Sequence, residues 1–254
     1  MSYTHPQVEL ESSALLEKLS RYEGRKPDDI SLHRISTQAK KLMPVDPSGA
    51  HTVLGAIAAL KKDKKGVHEH HKIAIQNSKE STTAIFNYAI SLGIIREYKN
   101  AHEQSLLAFN QAREDLNLLA HAIDYAIMGG LVHKGNECVS IWKKQITDEN
   151  KKDFYRNLED VSLLASKLGL TDSDITASVK ILHNVVDKAN LITNRVSLGS
   201  AENNISYLVY ISATAKQAVD LNEKFAEIFL KEKELNDHVK KYFTGMFISD
   251  RDDN

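Results

Sequence analysis

The chain has 254 residues with 33 Lys and Arg against 34 Asp and Glu, enough to bury a sizeable core and without the net field that draws a protein onto nucleic acid or an anionic membrane. Its single cysteine, Cys138, excludes an intrachain disulfide. The opening MSYTHPQVEL lacks a basic segment followed by an apolar run, and the most apolar stretch, 120–132, contains Asp124 and falls short of the ~20 apolar residues of a membrane span, so a soluble, cytoplasmic protein without cofactors is expected.

The prolines (Pro6, Pro27, Pro44 and Pro47) all lie in the first fifth of the chain, which leaves everything after Ser48 open to helix. No run of alternating Val, Ile and Thr bounded by turn residues reads as a strand, and the expected class is all-α. A first helix is predicted over Ser12–Tyr22, with Leu15, Leu16 and Leu19 on one face and Gly24, Arg25 and Lys26 ending it. Pro27 opens a second helix, which runs through Ile30, His33 and Ile35 towards Leu42. This N-terminal pair fills residues 1–43. The stretch MPVDPSG (Met43–Gly49), with two prolines and a glycine, predicts a linker at 44–49.

From residue 50 to about 195 the chain shows an internal period. Large-small pairs recur as Leu54-Gly55, Tyr88-Ala89, Tyr125-Ala126 and Leu164-Ala165, the small residues being separated by 34, 37 and 39 positions. Twelve residues after each small position stand Val67, Ala101, Cys138 and Ala177, all compact. Two antiparallel helices approach closely only where a small side chain faces the neighbour, so the spacing reads as hairpins. The segment NYAISLGIIREYKNAHEQSLLA (Asn87–Ala108) resembles a tetratricopeptide hairpin, and three to four degenerate copies span roughly residues 50–186.

The resemblance implies a right-handed α-α solenoid that acts as an adaptor, chaperone or regulatory subunit rather than an enzyme. Its groove would be lined by first helices through Thr52, Ala56, Ala59 and Leu60, then Phe86, Ile90, Gly93 and Ile94, then Ile123, Ile127, Gly130 and Leu131. That lining is apolar and lacks the Lys, Arg and Asn with which some family members hold a peptide carboxylate. It fits an apolar helix, whether of a partner protein or of this chain's own termini.

Beyond Asn203, residues Tyr207, Leu208, Ile211, Ala215, Ala218, Leu221, Phe225, Ile228, Phe229, Leu235, Val239 and Tyr242 follow steps of three and four. They predict one long amphipathic helix or two in series within 196–248, about 60 Å if continuous. That helix offers a second partner surface, or a homodimer seam, through Leu208, Ile211, Ala215, Ala218, Phe225 and Phe229. An acidic tail, 249–254, follows.

Three patterns invite chemistry. VHEHH (Val67–His71) places His68 and His71 on one helical face as two metal ligands, yet no third stands out and no metal is expected. His68 and His102 each follow the compact position of a second helix, which points to a repeated structural position. REYKNAH (Arg96–His102) fits the arginine-to-histidine spacing of the HEPN ribonucleases, in which His102 would serve as acid or base and Arg96 would stabilise phosphate charge. The repeat, however, puts 96–100 in a turn. KKDKK (Lys61–Lys65) has no interleaved aromatics and reads as a solvated turn, so nucleic acid is not the expected partner.

Overall fold

A computed structural model describes residues 6–22 and 28–250, which divide into two compact units, Met1–Ala122 and Ile123–Asn254. The predicted helix stop at Gly24–Lys26, the start at Pro27 and the tail beyond Asp250 lie outside the described residues. Helices dominate, as expected, and a small sheet accompanies them.

The first unit contains α1 (Pro6–Ser20), α2 (Asp29–Leu42), α3 (Pro47–Leu60), α4 (Lys64–Asn77), α5 (Ser81–Ile94), α6 (Tyr98–Gln111) and the start of α7 (Leu116–Gly129). Helices α3 with α4 and α5 with α6 form hairpins, and both α3 and α4 pack on α5. Aspartates cap both helices of the first hairpin: Asp46 accepts from the Gly49 N–H at 2.8 Å and Asp63 from the Gly66 N–H at 3.0 Å. First helices end in left-handed turns at Lys62 (φ 59°) and Arg96 (φ 61°), and the next N–H returns to a carbonyl five residues back, Asp63 to Ala58 and Glu97 to Leu92, each at 2.9 Å. Gly130 (φ 71°) closes α7 in the same way, so three such turns recur at 34-residue intervals. The first large-small interval, 34, matches this backbone period; the second, 37, does not, because Ala126 stands four residues before Gly130 whereas Gly55 and Ala89 stand seven before Lys62 and Arg96.

The expected linker at 44–49 is shorter. Pro47–Gly49 form the first turn of α3, because a proline at the first helical position gives up no hydrogen bond and Asp46 supplies the cap. The N-terminal pair is not a separate layer either. Leu15 and Leu19 of α1 and Leu32, Ile35, Ala39 and Leu42 of α2 share one core with Ala50, Val53, Leu54 and Ile57 of α3.

The second unit holds the end of α7 and then α8 (Val132–Gln145), α9 (Glu149–Lys152), α10 (Arg156–Lys167), α11 (Asp172–Lys188), β1 (Thr193–Ala201), β2 (Asn204–Ile211), α12 (Ala215–Lys231), α13 (Asp237–Tyr242) and β3 (Phe243–Ser249). The long C-terminal helix expected over 196–248 is therefore replaced by a β-hairpin, a helical crossover and a returning strand. The sheet order is β1-β2-β3, with β1 antiparallel and β3 parallel to β2. Ile205, Tyr207, Val209 and Ile211 alternate inward on β2. Gly245 of β3 permits a close approach, since a Cβ there would stand 2.7 Å from Leu182 Cδ1 and 2.8 Å from Phe225 Cζ.

A parallel strand at the sheet edge leaves backbone groups unpaired. Here the Asn222 amide of α12 occupies them: its Nδ2 donates to the Phe247 carbonyl at 3.0 Å and its Oδ1 accepts from the Phe247 N–H at 2.7 Å. Asn222→Ala is expected to cost about 1–3 kcal/mol in urea denaturation and to promote self-association detectable by light scattering. An unchanged midpoint with a monodisperse monomer would count against this edge-protecting role.

Candidate functional site

The densest cluster of chemically active side chains lies where the two hairpins of the first unit meet. Helix α4 begins at Lys64 behind the Asp63 cap and carries His68, His70 and His71. His71 is fully buried against Gly55 of α3; its Nε2 lies 2.8 Å from Ser91 Oγ on α5, and its ring stacks on Tyr88 at 5.1 Å between centroids. His68 pairs through Nδ1 with the Tyr88 hydroxyl, and its Nε2 stands 3.3 Å from Glu97 Oε2 at the start of α6. His51 of α3 meets His70 with the two Nδ1 atoms 3.0 Å apart.

The electrostatics follow from burial. His71 Nδ1 has no hydrogen-bond partner, so a proton added there would be stranded in the core. Burial first, then the neighbouring His70 and His68, hold its pKa down to about 3. Burial also lowers His51 and His70, with mutual repulsion adding to the shift at His51. The Tyr88 phenol is raised by burial and then by Glu97, which keeps it protonated rather than nucleophilic.

The same reach recurs along the chain. His68 meets Tyr88, His71 meets Ser91 and His102 Nδ1 donates to the Ala122 carbonyl at 2.8 Å, each partner lying 20 residues on. A second-helix histidine thus fastens one hairpin to the first helix of the next. This places His68 and His102 at an equivalent structural position. It also leaves neither His68 nor His71 open as a ligand, and among the described residues no group of three or more His, Cys, Asp or Glu could hold a metal. His102 is buried with its ring spent on a carbonyl, while Arg96 forms the left-handed turn before α6. The His102 ring is thus buried between α6 and α7 with Nδ1 committed to a backbone carbonyl.

Comparison with protein-family models, with characterised proteins and with solved structures returned no match. The case for function therefore rests on the geometry of this chain.

The predicted groove residues separate by exposure. Phe86, Ile90 and Ile94 of α5 are half-buried, with Phe86 edge-on to His121 at 4.9 Å. Ala56 and Leu60, the matching face of α3, are half-buried too and pack against the core that α1, α2 and α3 share. In the second unit Ile127 is half-buried, but Ile123 and Leu131 are buried and cannot line an open surface. The C-terminal set is also corrected. Leu208 and Ile211 sit on β2, Ala215 opens α12, and Ala218, Phe225 and Phe229 are buried on the inner face of α12, with Phe225 packed edge-on to Phe247 of β3. Ile211, Ala218, Phe225 and Phe229 thus belong to an internal core, while Leu208 is half-buried and Ala215 exposed, and the six do not share one helix face.

Cys138 is buried, and burial followed by Glu137 pushes its thiol up to about 11, so it is inert at neutral pH. Trp142 packs edge-on to Tyr155 at 5.5 Å. Sequence reasoning passed over His51, Ser91 and Glu97. The available signal was the 20-residue reach from each second-helix histidine, which becomes visible only once the hairpin register is known.

Proposed function

We propose that the protein is a non-enzymatic, tetratricopeptide-like interaction module that works in the cytoplasm as an adaptor, chaperone or regulatory subunit by holding an apolar helix of a partner protein against α5. The observation that carries this reading is a pair of equivalent, half-buried apolar helix faces, one on α3 and one on α5. On α3, Ala56 and Leu60 are half-buried and pack against the core that α1, α2 and α3 share. On α5, Phe86, Ile90 and Ile94, one turn apart, are half-buried likewise. The chain's own N-terminal pair thus illustrates the object that such a face accepts: an amphipathic helix presenting leucines at helical spacing. Among the described residues no helix is long and apolar enough to cross a membrane, so the apolar exposure on α5 does not belong to a spanning segment.

A carboxylate at position 90 would have to be desolvated under an incoming helix. Ile90→Asp is expected to weaken partner capture from the native cell by more than about tenfold while the helical circular-dichroism signal and the melting temperature stay close to wild type. Capture that survives the substitution, or a chain that no longer folds, would show that this face is not the docking surface.

A further inference from the structure

The two edges of the sheet in the second unit are finished differently. Asn222 occupies backbone groups of β3, whereas β1 lies at the other edge with β2 as its one neighbouring strand. Which backbone groups of β1 face outward follows from its register. The two-residue turn Glu202–Asn203 makes Ala201–Asn204 a pair that exchanges both N–H and C=O bonds, and at every second step so do Gly199–Ser206, Ser197–Leu208 and Arg195–Tyr210. Beyond the bulge between Thr193 and Arg195 the Ser212 N–H donates to the Ile192 carbonyl at 3.0 Å, which keeps the alternation. The N–H and C=O groups of Val196, Leu198 and Ser200 therefore point away from β2, and among the described residues nothing bonds to them. The strand, TNRVSLGSA, carries neither the proline nor the lysine that guards an exposed edge, and its bulge at one end leaves the run from Arg195 to Ala201 regular.

We propose that this edge is self-complementary: two copies of the chain join their β1 strands antiparallel about a two-fold axis at Leu198, so that the two three-stranded sheets become one. Val196 of each copy then exchanges hydrogen bonds with Ser200 of the second copy, and Leu198 with its own equivalent, which satisfies every outward group.

The side chains select a second copy in this register. Ser197 stands opposite Gly199 of the second copy in the pairs where side chains come closest, and both are small. The charged residues at this edge are Arg195 near the start of β1 and Glu202 in the turn after it, both exposed. Tyr210 holds the Arg195 guanidinium 3.7 Å from its ring centre, on the face opposite Leu198. Antiparallel pairing about Leu198 sets Arg195 against Ala201 of the second copy, beside that copy's Glu202, so opposite charges meet at both ends and like charges stay apart. The net charge of −1 adds no general repulsion between copies.

The contact is small, so sedimentation velocity of the full chain from about 1 to 300 μM is the direct test, with monomer expected at the dilute end and dimer at the concentrated end. Ser200→Pro removes an outward N–H and no β1–β2 bond; it should weaken the dimer by about tenfold or more while the melting temperature holds. Arg195→Glu and Glu202→Arg should each weaken the dimer by about three- to tenfold, and the two combined in one chain should restore it, because opposite charges then meet again. Since a variant could lose its fold, amide hydrogen exchange of the wild-type chain gives an independent reading. Protection at Val196, Leu198 and Ser200 should rise with protein concentration, while Ser197 and Gly199, bonded to β2, stay protected throughout. A monomer across the whole range, a dimer that Ser200→Pro leaves intact, or a double charge variant no better than the single ones would overturn the proposal. So would protection of the three outward amides in the dilute monomer, which would mean that the chain covers this edge itself.

Discussion

Replacing Gly55 with alanine is expected to destabilise the first unit by about 1–3 kcal/mol, against the trend for a helix interior. Helix propensity alone would favour alanine by about 1 kcal/mol. Position 55 reverses the sign because a Cβ would come within 2.5 Å of both Cδ2 and Nε2 of His71. That ring cannot retreat easily: Ser91 holds Nε2 and Tyr88 lies stacked on its face. The equivalent position of the next hairpin is Ala89, which is fully buried, so the repeat tolerates a methyl wherever no imidazole faces it. Urea denaturation of Gly55→Ala, His71→Ala and the double variant separates the effects. In the His71→Ala background the glycine substitution should become neutral or stabilising, since the two sites are in contact and their energies are coupled. A Gly55→Ala protein at least as stable as wild type would refute the wedge.

The second large effect is acid sensitivity of the same hairpin junction. His71 has a folded pKa of about 3 against 6.5 for an unperturbed histidine. The unfolded chain therefore binds the proton first, and acidification favours unfolding. Above 6.5 the neutral ring contributes its full stability, and that contribution falls as pH drops from 6.5 towards the folded value. At about pH 5 the loss amounts to about 2 kcal/mol, given about 1.4 kcal/mol per unit. His51 and His70 shift in the same direction and add to the effect. Denaturation in metal-free buffer should show stability declining between about pH 7 and pH 5, with a shallower decline in His71→Gln. Parallel pH profiles for the two proteins would show that His71 is not the group responsible.

The two ends of the chain differ in how legible they are. Helix over residues 50–145 follows from local features: prolines confined to the first fifth, small residues about 34 apart and aspartates just before α3 and α4. The C-terminal segment misleads because two periods coincide. Tyr207, Leu208 and Ile211 satisfy steps of one, three and four, whereas Ile205, Tyr207, Val209 and Ile211 satisfy a step of two. Local signals for the second choice were present. A two-residue loop, Glu202–Asn203, separates the paired residues Ala201 and Asn204, with Glu202 in the left-handed region. Thr214 and Gln217 form a reciprocal capping box that marks a new helix start. Gly245 lets β3 approach Leu182 and Phe225.

The candidate site divides in the same way. Sequence alone determined that His68 and His102 occupy one repeated position and that Gly55 and Ala89 are the small residues at which helices meet, because periodicity is a property of the chain. Only the tertiary structure decided that His51 meets His70, that His71 is sealed beneath Tyr88 and that Ile123 and Leu131 are buried while Ile90 is half-exposed. Those outcomes depend on which face of each helix the next element covers. Helical spacing places residues on a face, but what covers that face is set by packing between segments distant in sequence.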